Sequence, residues 1–206
     1  MSGYVLYIDG MVGSGKTSLC KRIKAFLVSE ESQCKLFSRP INTKLLNLFI
    51  SNPKNYAFAL ELSCLTNNRN VRENALSFAS EGGIAIVDRS VYGDIACATL
   101  QYGSGNISTN EWAICVDTFE GIKEIEVPNE IEELYVYLNT NTTDALNNIY
   151  NRGIDSERKY NAVYLERFGP IYFEVTKNIK VHKTGEIPMN FEEVRRLLRS
   201  FGIPSN

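Results

Sequence analysis

The sequence has almost no histidine, few cysteines and no excess of charge of either sign. Its 206 residues include one histidine, His182, and five cysteines that are scattered singly without a CxxC pair. This spacing indicates reduced, buried thiols and argues against a zinc site, whose ligands usually come in closely spaced pairs. The formal net charge of -2 argues against a protein that coats nucleic acid or an anionic membrane.

Long apolar runs are absent as well, and no basic segment followed by such a run opens the chain. The first residues, MSGYVLYIDG, predict a strand and not a signal peptide. No stretch approaches the length that is needed to cross a membrane. We therefore expect a cytosolic or nuclear protein with no membrane partner and no nucleic-acid partner. The composition, 44% hydrophobic and 22% charged, is typical of a single domain covering residues 1–206.

Strand and helix patterns alternate along the chain. Apolar runs predict strands at 4–9, 35–38, 84–88, 133–138 and 179–182. Helical spacing predicts helices at 16–29, 55–80, 92–102, 143–151 and 191–201, and another after the capping-box pair Ser108 and Glu111. A further helix after Tyr160 should break or kink at Gly169-Pro170. The alternation predicts an α/β fold of three layers, with a parallel sheet covered by helices on both faces.

The motif with the clearest chemistry lies between the first strand and the first helix. Its sequence, GMVGSGKT, fits the phosphate-binding pattern G-x-x-x-x-G-K-[ST] in the required strand-to-helix context. Its glycines let main-chain N–H groups point at phosphate oxygens, and the helix N-terminus favours an anion. Lys16 can reach the β and γ phosphates, and Thr17 can offer a hydroxyl to Mg²⁺. The predicted ATP-phosphate site comprises Gly10, Met11, Val12, Gly13, Ser14, Gly15, Lys16, Thr17 and Ser18.

A second pair of polar residues ends the strand with sequence IAIVD. In a parallel sheet, ligands collect beyond the carboxyl ends of the strands, so Asp88 should face the same crevice as the phosphate loop. Asp88 can hold Mg²⁺ or a water molecule bound to it, and Arg89 can hold an anionic or hydroxyl-bearing substrate. The alternative is that Asp88 only caps the helix that follows.

Taken together, these motifs resemble the deoxynucleoside kinase family, in which a phosphate loop is combined with DRS after the third strand. Four further segments of the chain are similar to that family: NPKNYAF at 52–58, RSVYGD at 89–94, TNEW at 109–112, and Arg152-Gly153 followed by Glu157 and YLE at 164–166. Their order and spacing extend the resemblance over most of the chain.

This resemblance implies a P-loop kinase fold with a five-stranded parallel sheet, and an enzyme that is usually a homodimer. Such an enzyme moves the γ-phosphoryl group of ATP to the 5′-hydroxyl of a deoxynucleoside. By position, Arg89 would lie near the 5′-oxygen, Asp94 near the base and Glu157 near the 3′-hydroxyl. Arg152 would close over the phosphates in a lid around 152–158, and residues 184–187 would lie near the base of ATP. The implied catalytic residues are Lys16, Asp88, Arg89 and Arg152.

The chain departs from the family pattern at positions that carry the chemistry. Arg39 stands where the family has the glutamate that accepts the 5′-hydroxyl proton, and Glu61 stands where a glutamine reads the base. In the lid, Asn148 and Ile154 replace arginines, which leaves Arg152 and Arg158.

Three interpretations of Arg39 remain open. A general base adds about 10²- to 10⁴-fold to a rate, so activity can survive its loss, and Asp88 can substitute if it reaches the 5′-oxygen. Alternatively, the acceptor is a nucleoside monophosphate, whose anionic oxygen needs no base and whose phosphate Arg39 and Arg89 would hold. Finally, Arg39 can be a surface residue at the end of a strand.

Glu61 and two aromatic side chains are the candidates for contact with the base. An ionised carboxylate only accepts hydrogen bonds, so Glu61 would favour an edge with two donors, such as that of guanine. The alternative is a solvated or arginine-paired helix residue. Phe58 and Tyr92 are predicted to lie near the base.

The sequence therefore leaves three functions open. The first is a deoxynucleoside kinase, and the second is a nucleoside monophosphate kinase on the same scaffold. The third is a nucleotide-binding interaction protein with little chemistry, since a fold alone does not fix a function.

Overall fold

The computed structural model describes residues 3–154, 157, 160–185, 187 and 190–203. Within these residues, five strands alternate with eight α-helices. The strands are β1 (Gly3–Asp9), β2 (Cys34–Ser38), β3 (Ile84–Asp88), β4 (Ile131–Leu138) and β5 (Val181–Thr184). The helices are α1 (Lys16–Ser29), α2 (Thr43–Ser51), α3 (Pro53–Ser80), α4 (Val91–Gly103), α5 (Thr109–Lys123), α6 (Thr142–Arg152), α7 (Ala162–Val175) and α8 (Phe191–Ser200).

All five strands are parallel and form one sheet in the order β2-β3-β1-β4-β5. β1 lies at the centre, where Tyr7 is opposite Val87 on one side and Tyr135 on the other. The carboxyl ends of the strands therefore meet along one edge of the sheet. The phosphate loop follows β1, and Arg39 and Arg89 follow β2 and β3, so the topology gathers these segments at that edge.

Successive residues of the strands are buried against different helices, which gives the three predicted layers. On one face, Val5 and Tyr7 belong to an apolar cluster with α2 to α7. On the other face, Leu6 and Ile8 pack with α1 and α8. The α/β fold with a five-stranded parallel sheet between helices is thus confirmed.

Helix α3, which supplies several residues of the site, is tied to the sheet by an ion pair. The Arg72 guanidinium donates to both carboxylate oxygens of Glu133, at 2.7 and 3.2 Å. The Tyr7 hydroxyl donates to the same carboxylate at 2.7 Å. This ion pair, whose arginine is only 5% exposed, joins α3 to β4 and, through Tyr7, to β1.

Several predicted boundaries need correction. Helix α2 was not predicted, although Leu45, Leu46, Phe49 and Ile50 have helical spacing and the Asn42 side chain caps its N-terminus by accepting from Leu45 N. Helix α7 runs through Pro170 without breaking, so of the expected break or kink the break does not occur. β5 begins at Val181, two residues later than predicted.

The five cysteines are all free; Cys20, Cys64 and Cys115 are buried, and Cys34 and Cys97 are half-buried. Among the described residues, no helix combines the length and apolar character that a membrane crossing requires.

Candidate active site

The phosphate loop turns sharply between β1 and α1. Gly13 and Gly15 adopt φ angles of 78° and 93°, which side chains with a Cβ rarely tolerate. A Cβ on Gly13 would also lie 2.3 Å from the carbonyl oxygen of Ala145, so α6 packs directly on the loop. Asn148, also on α6, donates to the Gly13 carbonyl oxygen at 2.9 Å. This asparagine, which replaces a lid arginine, therefore supports the loop.

Two side chains of the loop face polar partners. The Lys16 ammonium donates to the Met11 carbonyl oxygen at 2.6 Å and lies 3.4 Å from Ser14 Oγ. Burial, with the nearby charge of Arg89, lowers the pKa of Lys16 to about 7. Thr17 Oγ1 donates to Asp88 Oδ2 at 2.5 Å. The helix after β3 is capped by Ser90, not by Asp88, so the capping interpretation of Asp88 is wrong.

Arg89 is held beneath the loop in an unusual backbone conformation. Its φ angle is 79°, which is uncommon for a residue other than glycine and is often found at functional sites. The guanidinium donates to the Gly10 carbonyl oxygen at 3.2 Å and lies 5.4 Å from the centre of the Phe168 ring. These contacts connect the end of β3 to the phosphate loop and to α7.

Asp9, at the end of β1, is a buried residue of the site that the sequence analysis missed. Its carboxylate accepts from Ser90 N at 3.0 Å, from Ser90 Oγ at 2.5 Å and from the Tyr172 hydroxyl at 3.0 Å. Burial raises the pKa of Asp9, and the Arg89 charge opposes that rise. Asp9 thus fixes the start of α4 next to Arg89.

Arg39 is not a surface residue, which removes one of its three interpretations. Its side chain is 12% exposed and pairs with the fully buried Asp94, with Nη2 3.0 Å from Oδ1. Asn68 Nδ2 donates to the other Asp94 oxygen at 2.8 Å. Arg39 Nε and Nη1 are buried without a hydrogen-bond partner in the described part of the chain.

Glu61 is largely buried and forms no ion pair with an arginine of the described residues. The residue is 5% exposed, and no hydrogen bond or ion pair joins it to another described residue. Burial and then the Asp94 carboxylate raise the pKa of Glu61 to about 8, against the opposing charges of Arg39 and Arg89. Glu61 thus differs from the ionised carboxylate that the sequence interpretation assumed.

Arg152 and Glu157 pair with each other. Arg152 Nη1 donates to the two carboxylate oxygens of Glu157 at 3.1 and 3.0 Å. Ile154 is 41% exposed. Part of the predicted lid, including Arg158, lies outside the described residues, as does Glu186 of the segment expected near the base of ATP.

Most of these side chains line one cavity of about 550 Å³. From the predicted phosphate site, Val12, Gly13, Gly15, Lys16, Thr17 and Ser18 line it, whereas Gly10, Met11 and Ser14 do not. From the predicted substrate and catalytic residues, the lining includes Arg39, Glu61, Asp88, Arg89, Arg152 and Glu157. The structure therefore brings residues that are far apart in the sequence to one cavity.

Three residues that were predicted to lie near the base do not line this cavity. Asp94 lies behind Arg39 and does not line the cavity, although it is ion-paired to a residue that does. Phe58 is half-buried in the core, and Tyr92 packs edge-on against Phe119 and Tyr135. Neither aromatic side chain lines the cavity.

Other aromatic residues line the cavity. Phe49, Tyr160 and Tyr164 line the cavity with Leu60. Phe49 was missed because α2 was not predicted. Glu61, Asn68 and Arg72 are spaced so that they lie on one face of a helix. This spacing could have indicated from the sequence that α3 turns polar groups towards the interior.

Comparison with known proteins agrees with this geometry. The family model described as deoxynucleoside kinase matches residues 6–200. Deoxyguanosine kinases of Lactobacillus johnsonii and Lactobacillus acidophilus are each 26% identical to this chain, over 75% and 72% of its length. The matches span 66% and 63% of those two proteins, slightly less than two thirds. A thymidylate kinase of Leptospira borgpetersenii is 26% identical over 80% of this chain and 77% of its own.

Solved structures share the fold. The structure of deoxyadenosine kinase from M. mycoides with bound dCTP superposes with a TM-score of 0.75 at 17% identity, covering 96% of this chain and 98% of the other. The same enzyme with bound dATP gives a TM-score of 0.74 at 18% identity, with the same coverage.

Proposed function

This chain belongs to the deoxynucleoside kinase family, and we propose that it transfers the γ-phosphoryl group of ATP to the 5′-hydroxyl of a deoxynucleoside. One observation carries the proposal: the phosphate loop opens into the same cavity as Asp88 and Arg89 at the end of β3. A volume of about 550 Å³ is within the usual range of small-molecule sites. Nucleotide salvage is the role that such a reaction serves.

The polyphosphate of ATP would be bound by the loop. Main-chain N–H groups of the loop and the N-terminus of α1 favour an anion, and Lys16 adds a positive charge. The donor set also fits Mg²⁺ by its chemistry, because the Thr17 hydroxyl and the Asp88 carboxylate are oxygen ligands that lie next to each other. Bound between these residues and the phosphates, Mg²⁺ would neutralise charge on the transferred group.

In the transfer, the 5′-oxygen of the acceptor forms a bond to the γ-phosphorus of ATP. At the same time, the bond between the γ-phosphorus and the oxygen that links the β and γ phosphates breaks. The products are ADP and a deoxynucleoside monophosphate, and the hydroxyl loses its proton. Arg89 would stabilise the charge on the transferred group, and Asp88 is the carboxylate at the strand end that could accept the proton. Arg152 would contribute positive charge once it exchanges Glu157 for the phosphates.

The test is a transfer assay with ATP and Mg²⁺ that offers each deoxynucleoside and each 5′-monophosphate separately. Transfer to nucleosides supports the proposal. Binding of ATP without transfer to any acceptor would contradict it and would favour an interaction protein.

The role of the loop is tested by Lys16→Met. Losing a charged donor to phosphate weakens ATP binding by about 10- to 100-fold. Lys21→Met, which removes an exposed lysine on the same helix, is the matched control and should bind ATP normally. Equal affinity of the Lys16 variant and the control would contradict the proposed phosphate site.

A second candidate function, nucleoside monophosphate kinase, is favoured by the unpartnered nitrogens of Arg39. Two buried guanidinium nitrogens of Arg39 have no acceptor among the described residues, which is costly unless a ligand supplies one, and Arg39 is part of the cavity lining. The phosphate of an acceptor monophosphate has the oxygens to do so. The similarity to a thymidylate kinase agrees with this candidate.

Arg39→Gln separates the two candidates. If Arg39 holds an acceptor phosphate, its loss lowers kcat/KM for monophosphates by about 10- to 100-fold and leaves that for nucleosides nearly unchanged. Arg69→Gln, on the exposed side of α3, is the control for removal of an arginine. Arg39→Glu, which restores the family residue, should instead increase transfer to nucleosides if the missing base limits the rate.

A further inference from the structure

Two peptide groups of the phosphate loop are held by side chains from outside the loop. Asn148 Nδ2, on α6, donates to the Gly13 carbonyl oxygen at 2.9 Å. Thr140 Oγ1, between β4 and α6, donates to the Ser14 carbonyl oxygen at 2.9 Å. Neither Thr140 nor Asn148 lines the cavity. Both side chains therefore contact the loop from outside the space that a ligand would fill.

The contact with Thr140 also fixes the direction of a main-chain N–H group. In a planar trans peptide, the C=O and N–H bonds point in opposite directions. With its carbonyl oxygen turned to Thr140, the peptide that joins Ser14 to Gly15 directs the Gly15 N–H away from Thr140. Gly15 lines the cavity, whereas Ser14 is only 1% exposed. The Thr140 hydroxyl thus favours the orientation in which an N–H group, and not a carbonyl oxygen, faces the ligand.

The glycines of the loop make this support necessary. Gly13 and Gly15, which flank Ser14, adopt φ angles of 78° and 93°. Because glycine adopts positive and negative φ angles with similar ease, the residues that permit this turn also permit its alternatives. A rotated peptide would turn a carbonyl oxygen towards the phosphates and repel them. The hydroxyl and amide donors oppose that rotation, because it would break their hydrogen bonds.

The segment that carries the two donors is itself anchored to the rest of the fold. A Cβ on Gly13 would lie 2.3 Å from the Ala145 carbonyl oxygen, so α6 packs tightly against the loop. Next to Thr140, the main-chain N–H of Asn139 donates to the Thr184 carbonyl oxygen of β5 at 2.7 Å. The start of α6 is therefore a fixed support for the loop.

We propose that Thr140 and Asn148 are positioning residues that preorganise the phosphate loop for the polyphosphate of ATP. They hold the carbonyl oxygens of Ser14 and Gly13 away from the phosphates before the ligand arrives, so that binding does not have to order the loop. They act through the loop and do not contact the phosphates themselves. This inference rests on the proposed function, because it requires a nucleoside triphosphate at the loop.

Thr140 allows a test with side chains of similar shape. Thr140→Val removes the hydroxyl and keeps the branched shape, whereas Thr140→Ser keeps the hydroxyl. The Kd for ATP with Mg²⁺ should rise about 3- to 10-fold in Thr140→Val, which is the effect of losing one hydrogen bond. In Thr140→Ser it should stay within about twofold of the wild-type value. Isothermal titration calorimetry on the full chain measures both.

Asn148 tests the same inference independently. Asn148→Ala should also raise the Kd for ATP about 3- to 10-fold, because the Gly13 carbonyl oxygen loses its donor. Asn147→Ala is the matched control, since Asn147 is exposed on the same helix and its side chain forms no hydrogen bond with the described residues. This control should bind ATP normally. Either position decides the question if a variant at the other does not fold.

Binding of the acceptor distinguishes positioning of the loop from general support of the fold. The Kd for a deoxynucleoside, or for its 5′-monophosphate if the nucleoside does not bind, should change less than about twofold in Thr140→Val and Asn148→Ala. The reason is that neither side chain lines the cavity. Loss of general support would instead weaken the binding of ATP and of the acceptor together.

The outcomes separate this inference from the proposed function. Unchanged affinity for ATP in Thr140→Val, or equal losses in Thr140→Val and Thr140→Ser, would overturn the positioning role and leave the kinase intact. Equal weakening of ATP and acceptor binding would overturn it as well. If the wild type binds no ATP, the proposed function and this inference both fail.

Discussion

Individual residues at the carboxyl edge of the sheet have roles that depend on their partners. Lys16, Thr17 and Asp88 follow from a local motif and a strand end. Asp9 fixes the start of α4 only because it binds Ser90 and Tyr172, which are far from it in the chain. Such pairings leave no pattern in the sequence, because they depend on how three separate elements pack.

At this scale we predict that Tyr172→Phe destabilises the protein. The change removes the hydroxyl that donates to Asp9 at 3.0 Å and leaves a buried carboxyl with one donor fewer. The free energy of unfolding should fall by about 1–3 kcal/mol, measured by urea denaturation. Tyr137→Phe is the control, because the Tyr137 hydroxyl forms no hydrogen bond with the described residues, and it should change stability much less. Equal effects of the two changes would contradict the role of the Asp9 contact.

At the scale of elements, the first turn of helix α4 lies close against the Asp9 side chain at the end of β1. A Cβ on Gly93 would lie 2.2 Å from Asp9 Oδ1, so only glycine fits at this position of the helix. Gly121 in α5 has open space around it. The two helical glycines look alike in sequence, and only the packing distinguishes them.

We predict opposite effects of alanine at these two glycines. Gly121→Ala should raise the free energy of unfolding by about 0.5–1 kcal/mol, because alanine loses less backbone entropy on entering a helix. Gly93→Ala should lower it by about 1–3 kcal/mol, because the methyl group clashes with Asp9. Thermal unfolding of both variants checks this, and a stabilised Gly93 variant would contradict the close approach.

At the scale of the whole molecule, the protein maintains a buried acid, Glu61, in the lining of its cavity of about 550 Å³. Glu61 binds its proton more tightly in the folded state than in the unfolded state, since its pKa is raised from 4.5 to about 8. The contribution of Glu61 to stability is therefore present below pH 4.5 and is lost as the pH rises through 8.

The proposed homodimer and the cytosolic or nuclear location remain predictions from the sequence.

We predict that Glu61→Gln becomes increasingly stabilising, relative to the wild type, as the pH rises through this window. The difference in the free energy of unfolding should grow by about 1 kcal/mol per pH unit, because the glutamine has no charge to bury. Urea denaturation of both proteins without ligand, at a series of pH values, measures it. Parallel stability curves would show that Glu61 has an ordinary pKa.

The sequence by itself determined the three-layer fold, the phosphate loop, and the position of Asp88 and Arg89 at the end of β3. Each of these follows from local patterns, namely apolar runs, helical spacing and the rule that ligands lie beyond the carboxyl ends of parallel strands. Only the tertiary structure decided that Arg39 turns inward to Asp94 and that Glu61 is buried without a hydrogen-bond partner among the described residues. It also decided that Tyr160 and Tyr164 line the cavity, whereas Phe58 and Tyr92 do not. Burial and charge pairing depend on which segments pack together. These contacts join residues that are distant in the sequence, so no local pattern predicts them.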